Sequence, residues 1–133
     1  MSFYLLPNNL AALRTAFATE ATKNRVSVIC YCAEWCDTCR QYLDDFQSLA
    51  RQWPHHTFIW VDIEENPEFL DDEDVENFPT VLIQDNDGNR FFGPLLPHIG
   101  HLDTLLRKAA RLPASSAGPG PIATLANTGN QAR

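Results

Sequence analysis

Two apolar segments of strand length, separated by one amphipathic segment, restrict the possible fold more than any other feature. VSVICYC (26–32) and TFIWVDI (57–63) are rich in β-branched and aromatic residues, as is typical of strands buried on both faces. Between them, apolar residues recur at helical spacing until Pro54: Leu43, Phe46, Leu49, Ala50 and Trp53. We therefore predict strand–helix–strand, an order that joins parallel strands by a right-handed crossover.

The remaining elements complete an α/β fold. We predict a first helix, a short acidic helix, a third strand, a hairpin turn, a returning strand and a last helix, at residues 8–22, 68–75, 80–84, 85–88, 90–92 and 98–111. This order gives a central mixed β-sheet flanked by helices on both faces. Residues 1–112 form one domain. Residues 113–133 lack periodicity and large apolar side chains, so we predict a disordered C-terminal tail.

Charge and hydropathy narrow the classes of partner. The formal net charge is −7, which argues against nucleic acid and anionic membranes as partners. No apolar run approaches the roughly 20 residues of a membrane helix, and the N-terminal segment lacks the pattern of a signal peptide. We expect a cytoplasmic monomer. The acidic residues of 62–76 suggest a solvated surface; the alternative is a patch that selects basic partners.

Four cysteines fall within ten residues: Cys30, Cys32, Cys36 and Cys39. A secreted disulfide framework would spread its cysteines along the chain, whereas clustering suits redox chemistry or a metal site. Four thiolates could hold zinc or an iron–sulfur cluster. A strand pair that points into the core, followed by a helix pair, is poorly shaped for a tetrahedron, so we predict no metal.

Cys36 and Cys39 have the spacing of a redox-active pair. At i and i+3 they lie one above the other on the first turn of the helix, close enough to form and release a small disulfide ring. Free N–H groups and the helix dipole stabilise a thiolate at Cys36. Arg40 adds positive charge nearby and Asp37 opposes it. We predict Cys36 as the nucleophile and Cys39 as the resolving thiol.

Three segments resemble the thioredoxin family: Ala-Glu-Trp-Cys-Asp-Thr-Cys-Arg (33–40), VDIEENP (61–67) and Phe78-Pro79-Thr80. The resemblance implies a thioredoxin fold and a thiol-disulfide oxidoreductase acting in cell redox homeostasis through a Cys36–Cys39 disulfide. The cysteine pair carries the two electrons, so no cofactor is implied. The implied partners are protein disulfides or dithiols and an upstream thiol reductase. Thioredoxin-like domains also act as binding or chaperone modules, which is the alternative function.

The resemblance also assigns supporting residues. It implies a cis peptide bond before Pro79, facing the disulfide. The Phe78 backbone would then be free to pair with an extended substrate, and the side chains of Phe78 and Trp35 would contact it; Phe78 could equally be a core residue. Asp37 and Thr38 replace the usual Gly-Pro between the cysteines, where they tune thiolate stability.

Cys30 takes the place of the family's buried acid, and Trp60 that of the lysine that usually partners it. Cys30 and Cys32 are two residues apart on a strand, so both point to one face. If that face packs against the active-site helix, either thiol could relay a disulfide or a proton to Cys39. Buried free cysteines commonly act as small hydrophobes, and we favour that interpretation for both.

Overall fold

A five-stranded sheet with helices on both faces organises the chain. The computed structural model describes residues 3–18, 26–33, 35–115 and 118–131. Its strands are β1 (Phe3–Leu5), β2 (Ser27–Cys32), β3 (Thr57–Asp62), β4 (Thr80–Asp85) and β5 (Gly88–Pro94). Its helices are α1 (Leu10–Phe17), α2 (Asp37–Gln52), α3 (Ile99–Lys108) and α4 (Ile122–Gln131), with 3-10 turns at Pro67–Leu70 and Ala109–Arg111.

The strand order is β1-β3-β2-β4-β5. β2 and β3 are parallel, and α2 connects them, which confirms the predicted strand–helix–strand unit. β4 is antiparallel to both β2 and β5, so the sheet is mixed, as predicted. The end of β2, the start of α2 and the start of β4 therefore meet at one edge of the central strands.

Besides the C-terminal segment described below, two elements differ from the sequence predictions. β1 was not predicted, because three residues are too few to show a period. It pairs in parallel with β3, with Phe3 opposite Phe58. The acidic helix predicted at 68–75 is a single 3-10 turn, Pro67–Leu70. Asp71 follows with a positive φ of 57°, a conformation that a right-handed helix cannot continue through.

The sheet buries a separate apolar cluster on each face. On one face, α2 and α3 cover Val28, Cys30 and Phe58, with Phe46 and Leu102 among the fully buried helix residues. On the other face, α1, the first 3-10 turn and α4 cover the alternate strand residues, which are Ile29, Tyr31, Ile59, Val61 and Leu82. This alternation places Cys30 and Cys32 on the α2 face.

The prediction of a disordered tail at 113–133 is wrong for the described part of that segment. Residues Ile122–Gln131 form α4, and Ile122, Leu125 and Ala126 are buried. Two large buried side chains and one alanine suffice because α4 does not need to be stable alone; tertiary packing stabilises most protein helices. The physical reason for the error is that the tail completes a face that the short 3-10 turn leaves open.

Two buried polar side chains attach the tail to the β4–β5 hairpin. The Gln84 amide donates to Asn89 Oδ1 (2.8 Å) and to Gly120 O (2.9 Å), and Gln84 Oε1 accepts from the Ile122 N–H (2.8 Å). Asn89 Nδ2 donates to Pro119 O at 2.8 Å. A Cβ at Gly118, which has a φ of 95°, would lie 3.1 Å from the Phe92 side chain. The tail therefore follows one fixed path along the hairpin.

No helix among the described residues combines the length and the apolar character needed to cross a lipid bilayer.

Candidate active site

Cys36 lies where α2 begins. Its backbone is extended (φ −89°, ψ 114°), it is the N-cap residue of the helix, and its carbonyl oxygen accepts a hydrogen bond from the Arg40 N–H at 3.2 Å. The Cys36 thiol is free and partly exposed. The structure thus places the predicted nucleophile at a helix N-terminus and within reach of solvent.

The disulfide joins Cys32 to Cys39, with their Cα atoms 5.8 Å apart. This differs from the Cys36–Cys39 disulfide expected from the sequence. Cys32 is the last residue of β2 and points towards α2, whose first turn lies over it. Cys39 is only 1% exposed and points down into the same apolar cluster. The Cα separation is within the usual range for a disulfide, so the fold brings Cys32 and Cys39 into bonding range.

Cys30 lies below this disulfide. Its Sγ atom is 3.9 Å from Cys32 Sγ, and Cys30 is fully buried. Burial raises the pKa of the Cys30 thiol well above its usual value, so the thiol stays neutral and cannot serve as a base near neutral pH. Cys30 pairs across the sheet with Trp60. The two positions that the family fills with an acid and a lysine are therefore adjacent here and carry neither charge.

Cys30 and Cys32 thus have different roles in the structure. Cys30 packs in the core as a neutral thiol, as the small-hydrophobe interpretation predicts. For Cys32 that interpretation is wrong, since its sulfur is bonded to Cys39. The sequence indicated that Cys30 and Cys32 share one face of the strand. It did not indicate which of them bonds to Cys39, because that depends on how the face packs against α2.

Pro79 lies just before β4, next to the end of β2. The Phe78–Pro79 bond is cis, as the resemblance implied. Thr80 pairs with Tyr31 in the antiparallel β2–β4 ladder, so Pro79 continues the register opposite Cys32. The predicted supporting proline and the cysteine cluster are therefore brought together.

Apolar side chains lie next to Cys36 and Pro79 in the chain or by contact; Trp35, Phe78 and Leu96 are here called the apolar rim. Trp35 is 64% exposed, and the edge of one ring meets the face of the other between Trp35 and Phe78, with centroids 5.6 Å apart. Phe78 is partly buried against the core, so it has features of both predicted roles. The Leu95 N–H donates to Pro79 O at 3.0 Å, and this contact brings exposed Leu96 to the same edge. No motif in the sequence indicated Leu96.

The remaining predicted residues lie on the outer side of the first turn. Asp37 and Arg40 form an exposed ion pair, so each charge is partly balanced by the other. Thr38 lies between them and is partly exposed. The sequence left open whether Asp37 or Arg40 has the larger electrostatic effect on Cys36. In the structure the two charges pair with each other.

A cleft of about 490 Å³ reaches the disulfide from the β1 side of the sheet. Cys32 and Cys39 line it together with Pro7 and Leu43. Asp62 and Glu65, from the acidic segment 62–76, also lie at its wall. The Cys32–Cys39 disulfide is therefore buried, but it borders a cleft.

A metal site has little support from the arrangement of side chains. Cys32 and Cys39 share a bond, so they are not available as thiolate ligands in this state. Within the part of the chain that the structure describes, no three His, Cys, Asp or Glu side chains are grouped to hold a metal ion.

The fold and the cysteines at the start of α2 define a class of thiol-bearing α/β domain. The family model described as Thioredoxin matches residues 9–93, and the chain belongs to this family. An H-type thioredoxin of Oryza sativa subsp. indica is 37% identical over 65 residues, which are 49% of this chain and 52% of that protein. A thioredoxin of Chlamydia pneumoniae is 36% identical over 57 residues, 43% of this chain and 55% of that protein. The chain spans about half the length of the curated relatives it matches.

Solved structures support the same fold over more of the chain. Oxidised thioredoxin O1 from Arabidopsis thaliana superposes with a TM-score of 0.61 at 19% identity, covering 81% of this chain and 97% of that chain. Thioredoxin F from spinach chloroplast superposes with a TM-score of 0.65 at 15% identity, covering 82% and 87% respectively. At these identities the likeness establishes the thioredoxin fold alone.

Proposed function

We propose that this protein is a thiol-disulfide oxidoreductase that reacts with protein disulfides through Cys36. The observation that supports this best is the position of Cys36: a free, partly exposed thiol at the N-terminus of α2. The partial positive charge of a helix N-terminus favours a negatively charged sulfur there, and the thiolate is the species that attacks a disulfide.

The surroundings of Cys36 suit a protein substrate. Trp35, Phe78 and Leu96 form an apolar rim, and exposed aromatic and aliphatic side chains of this kind are typical of sites that bind other proteins. The Phe78 backbone, just before β4, would be the segment with which an extended substrate pairs. Cys39, one turn after Cys36, would resolve the mixed disulfide once its own bond to Cys32 is reduced.

The physiological setting belongs to the same proposal. An upstream dithiol reductase would return electrons to the oxidised cysteines, since the chain's thiols store only the two electrons used in each turnover. We place the protein in the cytoplasm, as a monomer. A reducing compartment keeps thiols such as Cys30 and Cys36 free, and the disulfides found there are usually transient and catalytic.

The test is reduction of insulin disulfides with dithiothreitol as the electron donor. We expect the wild type to accelerate insulin reduction and Cys36→Ser to lose at least about 100-fold in rate, because serine cannot form the mixed disulfide. Cys30→Ala is the matched control, a removed buried thiol that should leave the rate near wild type. Cys39→Ser should accumulate a mixed disulfide at Cys36, detectable by mass spectrometry.

Equal rates for the wild type and Cys36→Ser would contradict the proposal. If neither variant nor wild type accelerates reduction but both suppress insulin aggregation, the binding or chaperone alternative is correct. That alternative has one structural observation in its favour: in the described state Cys39 is bonded to Cys32 and is not available to Cys36.

A further inference from the structure

We propose that Cys32 is a third redox thiol, which takes the disulfide from Cys36–Cys39 and stores it as Cys32–Cys39. This inference rests on the proposed function, because Cys36 is the point at which oxidation enters. After the internal step, the disulfide lies in the core and Cys36 is again a free thiol. The described state, with Cys32 bonded to Cys39 and Cys36 free, is the end point of this relay.

Cys39 is within reach of both partners. It is bonded to Cys32, with a Cα separation of 5.8 Å. It also lies three residues after Cys36 on one helix, and side chains at that spacing have Cβ atoms about 5–6 Å apart. A rotation about the side-chain bonds of Cys39 therefore moves its sulfur between the two. The cleft of about 490 Å³ lined by Cys32 and Cys39 supplies the free volume for that rotation.

The internal exchange balances in three steps. Cys36 thiolate attacks the substrate disulfide, forms a mixed disulfide and releases the first substrate thiol. Cys39 attacks Cys36 Sγ, forms Cys36–Cys39 and releases the second substrate thiol. Cys32 then attacks Cys39 Sγ, forms Cys32–Cys39 and releases Cys36 as a thiolate. In sum, one substrate disulfide is reduced, Cys32 and Cys39 are oxidised, and their two protons end on the substrate thiols.

Charge placement gives the third step its direction. Cys32 is 1% exposed within an apolar cluster, where a thiolate would be costly and an uncharged disulfide is not. The sulfur released in exchange is Cys36, at the surface and at a helix N-terminus, where negative charge is stabilised. The exchange thus moves the neutral disulfide inward and the charged sulfur outward.

Cys30 contacts Cys32 but stays outside the exchange. Cys32 Sγ carries no proton when bonded to Cys39, so in the 3.9 Å contact Cys30 is the donor. Since Cys30 remains a neutral thiol, it is not a competing nucleophile. Cys30→Ala is therefore a control matched to Cys32→Ala in strand, face and burial.

The first measurement maps the disulfide formed by reaction with a protein substrate. Reduced full-length chain is mixed with insulin, quenched with acid, alkylated and analysed by peptide mass spectrometry. We expect Cys32–Cys39 linked and Cys36 alkylated in the wild type and in Cys30→Ala, and Cys36–Cys39 linked in Cys32→Ala. Wild type that reduces insulin but ends as Cys36–Cys39, with Cys32 alkylated, overturns the relay and leaves the proposed function intact.

The second measurement is the midpoint potential in a series of oxidised and reduced dithiothreitol. If Cys32–Cys39 is favoured about tenfold over Cys36–Cys39, removing Cys32 raises the midpoint by about 30 mV for this two-electron couple. Equal midpoints for wild type and Cys32→Ala overturn the proposal. Cys36→Ser separates the two hypotheses: Cys32–Cys39 forming from insulin as fast as in wild type would contradict the entry role of Cys36, and with it the proposed function.

Discussion

Trp35 is the residue whose exposure most needs a functional reason. Nearly two thirds of its surface, 64%, faces solvent beside Cys36, and its ring makes an edge contact with Phe78. Large aromatic side chains rarely stay this exposed without a binding partner, and tryptophan is among the residues that contribute most to protein interfaces.

Replacing Trp35 should therefore separate protein substrates from small ones. We expect Trp35→Ala to lower kcat/KM for insulin by about tenfold, equivalent to about 1.4 kcal/mol of lost transition-state binding. The rate with a small aromatic disulfide should change little, because such a substrate cannot span the rim. Arg51→Ala, at the exposed far end of α2, is the control. A similar loss with both substrates would contradict a role in protein binding.

Buried titratable groups predict how stability depends on pH. Burial raises the pKa of the Cys30 thiol, and it also raises the pKa values of the Tyr31 and Tyr42 hydroxyls. The folded protein keeps these protons where the unfolded chain loses them, from about pH 8.5 for cysteine and about pH 10 for tyrosine. The free energy of unfolding is thus undiminished below pH 8.5 and falls as pH rises, by up to about 1.4 kcal/mol per pH unit for each group.

Urea unfolding of the oxidised protein between pH 7 and pH 10 measures this slope. Oxidised protein is used so that Cys32 and Cys39 do not titrate. Cys30→Ala should flatten the decline between pH 8.5 and pH 10, whatever its effect on stability at pH 7. A wild-type stability that is constant over this range would show that Cys30 ionises as easily in the folded state as in the unfolded one.

At the scale of elements, α4 covers the part of the second sheet face that a longer helix after β3 would otherwise cover. The 3-10 turn Pro67–Leu70 is too short to cover the second face of the sheet, and α4 packs against it and against α1. Arg14 Nε donates to Ala126 O at 2.7 Å, which ties α1 to the tail. Gln84 and Asn89 fix the path that leads into α4.

Leu125 tests this role of α4. We expect Leu125→Ala to lower the free energy of unfolding by about 2–3 kcal/mol, because its side chain is 8% exposed and contacts the second apolar cluster. Thr104→Ala, at an exposed position of α3, should change it by less than about 0.5 kcal/mol. Removing 113–133 should cost more than Leu125→Ala alone. An unchanged denaturation midpoint after truncation would show that α4 adds no stability.

The sequence predicts some elements well and others not at all, for physical reasons. β2, α2 and β3 have strong periods and clear ends, so their predicted bounds agree with the structure to within a residue or two. α4 could not be predicted because its apolar residues are too few to establish a helical period by themselves. They become buried only by packing against the second face of the sheet. Similarly, the cis bond before Pro79 was available only from the family resemblance. The choice of Cys32 over Cys36 depends on side-chain directions at the β2–α2 junction, which a linear pattern does not contain.

For the whole molecule, redox state and stability should be linked. The Cys32–Cys39 bond connects β2 to α2 across a sequence separation of 7, and closing a loop of that size restricts the unfolded chain by about 2.5 kcal/mol. We expect the oxidised protein to unfold at a higher urea concentration than protein kept in dithiothreitol. In Cys32→Ala the difference between the two conditions should shrink, since only the smaller Cys36–Cys39 ring can form. Identical wild-type midpoints would contradict the link.

The dependence of one sheet face on α4 also has a consequence for synthesis of the chain. Residues 9–93, which match the family model, emerge from the ribosome well before Ile122, Leu125 and Ala126. Until those residues follow, Leu13 and Phe69 have no cover from α4, and exposed apolar surface of this kind attracts chaperones and favours aggregation during translation. The nascent domain therefore passes through a period in which its cysteine face can be assembled while its opposite face is still open.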